Sequence, residues 1–226
     1  MQTQTNVFKV LAVLESSFYF PRLFMKKIIL ATHNLHKMEE MSGVLKDLAI
    51  DILTLEQFPN IEDIPETGET LKENALIKAR TVNQLTGIPA IGDDTGLEVN
   101  TLNGAPGVYS ARYAGETASF EDNVNKLLSE MKSKIDRSAQ FRTVTAFVNG
   151  KDEIIAEGKI DGLITKEPKG AYGFGYDPVF YFPELKRTFA ELSTEEKNRI
   201  SHRGLALQKL CKLLSAHWSE NKPTGD

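Results

Sequence analysis

The sequence predicts an α/β protein in which helices flank a mixed, twisted sheet. The first observation is an apolar run at 27–32 that precedes apolar residues at helical spacing, as expected for a strand followed by a helix. The second is a capping-box pattern, Thr70 to Glu73, that starts another helix. The third is Asn149-Gly150 between two runs rich in aromatic and β-branched residues, which indicates a hairpin. Because a hairpin pairs its strands antiparallel, the sheet is predicted to be mixed.

The first half of the chain is predicted to alternate strands with helices. The strand at 27–32 leads through a polar turn into a helix that begins near Asn34, with apolar positions at Leu35, Met38, Met41, Leu45 and Leu48. A second strand is expected at 51–55, followed by an acidic, proline-containing loop at 58–69. The next helix is expected to end at 87–89, where glycine and proline break it.

The middle of the chain is predicted to hold two short strands separated by a polar segment. The first, 89–92, leads into Asp93-Asp94, and the second covers 97–99 before a glycine- and proline-rich loop at 103–107. Ser119 is expected to cap a helix with apolar positions at Val124, Leu127, Leu128, Met131 and Ile135.

The second half begins with the predicted hairpin, formed by strands at 141–148 and 153–160. A glycine-rich loop follows at 169–177, and Ser193 caps a short segment. A final helix is predicted from Ile200, with apolar positions at Leu205, Leu207, Leu210, Leu214 and Trp218.

The length and composition are those of an ordinary globular protein. The 226 residues suit one α/β domain or two small lobes, and the formal net charge of −4 offers no overall basic excess for binding a nucleic-acid backbone. The single cysteine, Cys211, excludes a disulfide within one chain and is expected to fill the core. No apolar run approaches the roughly 20 residues of a membrane span. We expect a poorly ordered N-terminal extension at 1–24, one domain at 25–218 and a C-terminal tail at 219–226.

The first candidate for chemistry is the segment Thr32-His33-Asn34-Leu35-His36-Lys37, at a strand-to-helix junction. Backbone N–H groups at a helix start favour phosphate, and Lys37 adds a full positive charge. The alternative is a capped helix with a solvated lysine.

The second candidate is Asp93-Asp94, placed where an apolar strand is predicted to end. There, one carboxylate could bind Mg²⁺ and the other could polarise a water molecule. The alternative is an acidic turn, because Asp-Asp-Thr-Gly also suits a turn. The loop at 62–68 could add a further metal-binding carboxylate, and Lys78 on the following helix could reach phosphate, although a solvated loop and a surface lysine are the ordinary interpretations.

The third candidate joins two later segments. Three glycines interleaved with aromatic residues at 170–177 suit a loop that approaches a planar ligand, with Phe174 stacking on a base and Asp177 accepting from a ring N–H. Lys197, His202 and Arg203 cluster near the start of the last helix, where they could contact a base carbonyl and phosphate. Each segment alone is equally compatible with a structural role.

Six motifs in order give the sequence a resemblance to a known family. They are Ala31–Lys37, Glu66–Ala75, Asp93–Leu97, Gly104–Gly115, Gly173–Phe180 and Ser201–Gly204. Together they resemble the inosine triphosphatase-like family of non-canonical purine nucleoside triphosphate pyrophosphatases, over about residues 26–216. His33 stands where glycine is common in that family, and Thr95 where serine is common.

The resemblance implies a role for each matching residue. The triphosphate would be bound by Thr32, His33, Asn34, Leu35, His36 and Lys37. Lys78 would be a further phosphate ligand, with Arg112 as a second candidate. Mg²⁺ would be held by Glu66 and Asp94 with Asp93 nearby, and Asp94 would be the general base. The substrate would also be contacted by Thr95, Phe174, Gly175, Tyr176, Asp177, Lys197, His202 and Arg203.

The resemblance also implies an architecture and an activity. The family fold has two lobes around a central cleft and forms a homodimer, which we expect to act in the cytoplasm without nucleic-acid or membrane partners. The reaction would be attack of water on the α-phosphorus, which releases pyrophosphate. A nucleotide-sensing protein without turnover and a pyrophosphatase for another modified nucleotide are the competing hypotheses.

Overall fold

The computed structural model describes residues 27–48 and 50–220. The predictions for residues 1–24 and for the end of the tail, 221–226, lie outside the described residues. The domain bounds and the two-lobe arrangement stay predictions. In the part of the chain that is described, no helix has both the length and the apolar character needed to cross a membrane.

The first half forms a parallel three-strand unit, as expected from its alternating pattern. Strand β1 (Lys27–Leu30) lies between β2 (Asp51–Thr54) and β3 (Ala90–Val99) and pairs in parallel with both. Helix α1 (Leu35–Leu45) follows β1, and α2 (Leu71–Thr86) precedes β3.

Both helices begin as their sequences predict. The Asn34 side chain accepts a hydrogen bond from the backbone N–H of Lys37 at 3.1 Å, which caps α1. Thr70 and Glu73 form a complete capping box at the start of α2. Gly87 ends α2 in the left-handed region, at φ 68°, where a residue without a side chain is favoured.

The prediction of two short strands around Asp93-Asp94 is wrong, because β3 is continuous from Ala90 to Val99. Its antiparallel partner β5 (Ser138–Asn149) pairs with every residue in that range, which holds the polar segment in an extended conformation. Tertiary pairing therefore overrides the local turn preference of the sequence.

The second half supplies the antiparallel part of the sheet. Strand β5 forms the predicted hairpin with β6 (Asp152–Ile164), and the short strands β7 (Phe180–Phe182) and β8 (Arg187–Thr188) continue the sheet to its edge. The two-residue strand β4 (Pro106–Gly107) pairs with β3 off this path.

Three helices cover this half: α3 (Phe120–Glu130), α4 (Thr194–Ile200) and α5 (His202–Glu220). Ser119 and Ser193 cap α3 and α4 as predicted. Placing Ile135 on the apolar face of α3 was wrong, since the helix ends at Glu130 and Ile135 is 99% exposed. Beyond the helix, the Arg137 guanidinium donates to the Met131 carbonyl and to the Ile164 carbonyl on the neighbouring strand β6.

Two apolar clusters flank the polar segment of β3. Leu97 belongs to a cluster rich in phenylalanine, and Ile91 belongs to a second cluster with residues of α1 and α5. Cys211 packs against the second cluster, in agreement with its predicted role as core residue. Residues 93–95 therefore lie where the two cores meet.

Candidate active site

The candidate site lies where β3 extends beyond β1. Pairing between these strands is confined to Ile29 with Ala90 and Leu30 with Ile91, after which the chain leaves β1 and enters α1. Residues 93–95 thus extend past the carboxyl end of a parallel strand, which is the usual ligand-binding position in open α/β sheets.

A cleft opens at this position and gathers most of the predicted site residues. Those that line it are Asn34, Lys37, Glu66, Asp94, Thr95, Phe174, Gly175, Tyr176, Asp177, Lys197, His202 and Arg203. Lys78 and Asp93 stand behind this lining through ion pairs with residues described below. Thr32, His33, Leu35 and His36 are not part of the lining.

Asp94 forms one half of a carboxylate pair with Glu66. The Lys78 ammonium donates to Glu66 Oε1 at 2.6 Å and lies 3.9 Å from Asp94 Oδ1, so one cation is shared by both carboxylates. Asn74 Nδ2 donates to Asp94 Oδ2 at 3.0 Å, which fixes the orientation of the carboxylate. Arg112 Nη1 lies 3.8 Å from Glu66 Oε2 and adds a second cation.

Asp93 does not join this pair, because adjacent side chains of a strand point to opposite faces of the sheet. Arg203 Nε donates to Asp93 Oδ2 at 3.0 Å, and the Lys37 ammonium lies 3.3 Å from Oδ1. The side chain of Asp93 is completely buried and does not line the cleft. Asp93 instead holds Arg203 and Lys37, apart from Glu66 and Asp94, with which it was predicted to bind the metal. The metal-binding roles themselves stay predictions.

The two neighbouring carboxyls differ in acidity. Burial alone would raise the pKa of Asp93, but the charges of Lys37 and Arg203 outweigh it and hold that pKa well below its ordinary value. Burial also raises the pKa of Asp94, and there Lys78 and Lys37 offset only part of the effect. The site thus contains one firmly ionised carboxylate and, beside it, a more basic one that faces the cleft.

An aromatic platform forms the other end of the cleft. The rings of Phe174 and His36 are nearly parallel, at 10°, with centroids 5.2 Å apart. The Lys197 ammonium lies 4.9 Å from the centre of the Phe174 ring. Asp177 fixes this platform by accepting a hydrogen bond from the backbone N–H of Phe174 at 2.9 Å. Gly173 adopts φ 74°, and a Cβ atom there would come within 2.2 Å of Asp177 Oδ2.

Helices α4 and α5 are joined by a buried carboxylate that was not among the predicted site residues. Glu40 on α1 accepts from Lys197 Nζ at 2.7 Å and from Arg203 Nη1. The Lys197 ammonium also donates to Asp177. Glu40 is only 4% exposed. One signal could have indicated it: Glu40 lies three residues after Lys37, between the apolar positions Met38 and Met41, where an unpaired charge is costly.

The start of α1 stands at the mouth of the cleft. The first-turn N–H groups of a helix have no partner within the helix and can therefore serve an anion. Thr32 Oγ1 accepts from the Asn34 N–H at 3.2 Å, and the imidazole of His33 lies 4.0 Å from Asp63. Leu35 is 64% exposed, so its side chain serves neither the core nor the cleft.

No group of three or more His, Cys, Asp or Glu side chains within residues 27–48 and 50–220 could hold a metal ion by itself. Mg²⁺ needs no such group, since it is commonly held by one or two carboxylates together with substrate phosphates and water. Glu66 and Asp94 are hard oxygen donors on the cleft wall and already share a cation, the Lys78 ammonium. This pair fits the ion.

Comparisons with known proteins agree with this geometry. A model of the Ham1 family matches residues 28–213. The chain is 50% identical over 204 residues to the dITP/XTP pyrophosphatase of Desulfotalea psychrophila, covering 87% of this chain and 92% of that protein. It is also 50% identical to the dITP/XTP pyrophosphatase of Vibrio cholerae, covering 84% and 97% respectively.

The fold is that of a solved structure as well. A HAM1 protein from Coxiella burnetii superposes with a TM-score of 0.78 at 45% identity, over 85% of this chain and all of that one. The Ham1 family match at residues 28–213 includes every residue of the cleft named above. The chain belongs to the Ham1 family.

Proposed function

We propose that the protein hydrolyses non-canonical purine nucleoside triphosphates, namely dITP, ITP, XTP and dXTP, to the monophosphate and pyrophosphate. The observation that carries the proposal is the single cleft, with the Glu66 and Asp94 carboxylates at one end and the Phe174 platform at the other. Relatives that are half identical in sequence are named dITP/XTP pyrophosphatases, which supports the same substrate class here.

The chemistry requires a base beside the α-phosphate. In our proposal, the Asp94 carboxylate accepts a proton from water as the water oxygen bonds to the α-phosphorus. The bond between the α-phosphorus and the oxygen bridging to the β-phosphate then breaks, and that oxygen leaves as part of pyrophosphate. A raised pKa suits this role, because a more basic carboxylate accepts the proton more readily.

The triphosphate also needs positive charge around it. Lys37 lines the cleft and Lys78 backs it. The first-turn N–H groups of α1, other than that of Lys37, which Asn34 caps, would also serve phosphate. A magnesium ion held by Glu66 and Asp94 would neutralise further charge on the phosphates. Without a metal ion, the Lys78 ammonium orients the Glu66 and Asp94 carboxylates. Lys78 is also available as a phosphate ligand.

The base is recognised at the far end of the cleft. Phe174 offers a ring on which a purine stacks, and Arg203 and Lys197 are held beside that ring by buried carboxylates. Hydrogen-bond donors at this end favour a purine with a 6-carbonyl over one with a 6-amino group, because the amine leaves a donor unpaired.

Release of pyrophosphate from ITP, dITP, XTP and the four common ribonucleoside triphosphates, with and without Mg²⁺, tests the proposal. We expect Mg²⁺-dependent release from the first three and much slower release from ATP. Asp94→Asn should lower turnover by roughly 10² to 10⁴ without lowering the free energy of unfolding. Asp161→Asn, at an exposed position on β6, is the matched control and should keep full turnover.

Three outcomes would overturn the assignment. Turnover of Asp94→Asn close to that of the wild type would remove Asp94 as the base. Tight binding of ITP without release of pyrophosphate would favour a nucleotide-sensing protein. Release of pyrophosphate only from a modified pyrimidine nucleotide would favour a pyrophosphatase for another modified nucleotide. We further propose that the enzyme is a homodimer and acts in the cytoplasm. Light scattering tests the assembly state.

A further inference from the structure

A chain of buried hydrogen bonds connects the cleft to the interior of the sheet. Arg203 Nη2 donates to Thr95 Oγ1 at 3.0 Å, and Thr95 Oγ1 lies 2.6 Å from Thr143 Oγ1. Thr143 Oγ1 lies 2.6 Å from Nδ1 of the His202 ring. Thr143, on β5, is fully buried and does not line the cleft, whereas the other three residues do.

The protons available favour one direction for the chain, which we infer as follows. A guanidinium only donates and each hydroxyl has one proton, so Thr95 accepts from Arg203 and keeps its own proton to give. Thr143 is the acceptor that lies within reach of that proton. If Thr143 instead donated to Thr95, the Thr95 proton would lose this acceptor. The positive charge on Arg203 also makes the Thr95 hydroxyl a stronger donor.

When Thr143 accepts a hydrogen bond from Thr95, the hydroxyl proton of Thr143 points to His202 Nδ1. That nitrogen then carries no hydrogen, and Nε2 is the ring nitrogen that does. We propose that Thr143 is a positioning residue for purine selectivity, which holds His202 in the Nε2–H form as a neutral hydrogen-bond donor. This inference rests on the proposed function for the identity of the substrate.

The surroundings of the ring support a neutral, immobile histidine. Phe141 lies against it with centroids 4.5 Å apart, and Phe189 is nearly parallel to it at 6.2 Å. Burial, followed by the charges of Arg203 and Lys197, holds the pKa of His202 well below its ordinary value. A neutral ring packed against two phenylalanines presents one ring N–H as a donor.

A fixed donor has a defined preference among purines. A 6-carbonyl accepts the Nε2–H hydrogen bond, whereas a 6-amino group leaves unpaired the donor of a ring that is only 3% exposed. With the tautomer unconstrained, the ring could present an acceptor instead and tolerate the amine. Thr143 would therefore influence the choice of base without touching it.

The direct test is the tautomer of His202, measured by long-range ¹H–¹⁵N correlation on the ligand-free wild type. The spectrum is assigned by the loss of one ring system in His202→Gln. We expect a protonated Nε2 and an unprotonated Nδ1. A protonated Nδ1 would overturn the inference whatever the enzyme does with substrates, because this measurement uses none.

The second test compares Thr143→Val, which removes the hydroxyl, with Thr143→Ser, which keeps it. The ratio of kcat/KM for ITP to that for ATP should fall by roughly tenfold in the valine variant, while the serine variant keeps the wild-type ratio and nitrogen shifts. An unchanged ratio in a folded valine variant would refute the role of Thr143. If that variant does not fold, the wild-type tautomer and the serine variant decide. Failure of the wild type to hydrolyse ITP would instead refute the proposed function.

Discussion

Glu40→Gln is the perturbation that best tests the buried charge network. Glu40 is the carboxylate that joins Lys197 to Arg203, and the two cations reach the site from different helices, α4 and α5. Burial would raise the pKa of Glu40, but Arg203 and Lys197 outweigh it and keep the pKa below its ordinary value. The wild-type side chain is therefore ionised in the folded state, and glutamine removes a real charge.

The expected loss of stability can be worked from the contacts. Glu40 accepts two hydrogen bonds from cations, each with a net value of about 1.5–3 kcal/mol. Each cation keeps a second carboxylate, Asp177 for Lys197 and Asp93 for Arg203, and the glutamine oxygen still accepts one bond. We therefore expect a loss of about 3 kcal/mol in the free energy of unfolding, at the lower end for a broken buried ion pair.

Urea unfolding measures this loss, with a decrease of about 6–12 °C in the melting temperature as the thermal counterpart. Glu39→Gln is the matched control: the neighbouring side chain is exposed, with a 3.3 Å bond from Thr194 as its contact, and should change stability by less than about 0.5 kcal/mol. Equal stability of the two variants would show that the Glu40 network does not stabilise the fold.

Three further predictions follow from other contacts. Gly158→Ala should destabilise the protein by about 1–3 kcal/mol, because its Cβ would lie 2.2 Å from the His202 carbonyl and 2.4 Å from the Ala206 nitrogen; wild-type stability would contradict this. The pKa of Asp93 is lower in the folded state than in the unfolded state. The ionised Asp93 therefore stabilises the fold at any pH above its unfolded-state pKa of about 3.9, and this stabilisation is lost as the pH falls below that value. The difference in unfolding free energy between the wild type and Asp93→Asn should then narrow below about pH 4, and a constant difference would refute the sign. Phe174→Leu should raise KM for ITP by roughly tenfold with little change in kcat, and an unchanged KM would argue against stacking.

The elements that the sequence predicts well are those with local determinants. Asn34 and Thr70 cap their helices by contacts within three residues, and Asn149-Gly150 fixes its hairpin. The path of 93–95 depends instead on pairing with β5, about 50 residues away in the chain. No local pattern shows that partner, so the segment looked like a turn.

The same limit applies to the site. Asp94 was identified from its motif, and Lys78 lies between Asp94 and Glu66, while the roles of these two carboxylates as metal ligands stay predictions. The role of Asp93 depends on the alternation of strand faces, whereas the sequence predicted that a strand ends at Asp93-Asp94, with an acidic turn as the alternative. Glu40 and Thr143 resemble no ligand-binding motif, since each acts on another side chain rather than on a ligand. Residues of this kind become visible only when the fold brings their partners together.

The charges around the cleft indicate whether the substrate must enter together with a counterion. Charged side chains of both signs line the cleft or stand behind its lining. The positive ones are Lys37, Lys78, Arg112, Lys197 and Arg203, and the negative ones are Glu40, Glu66, Asp93, Asp94 and Asp177. Among these side chains five cations face five carboxylates, and Arg112 also lies 3.5 Å from the exposed Glu116, so they offer no surplus positive charge to a triphosphate. A triphosphate that enters without a counterion would face the carboxylates of Glu66 and Asp94 in a partly buried site, where repulsion is weakly screened. We infer that the substrate enters with a divalent cation, which satisfies these two carboxylates and leaves Lys78 to contact phosphate. Turnover should therefore stop when the divalent cation is chelated, and activity that persists under chelation would show that the lysines suffice.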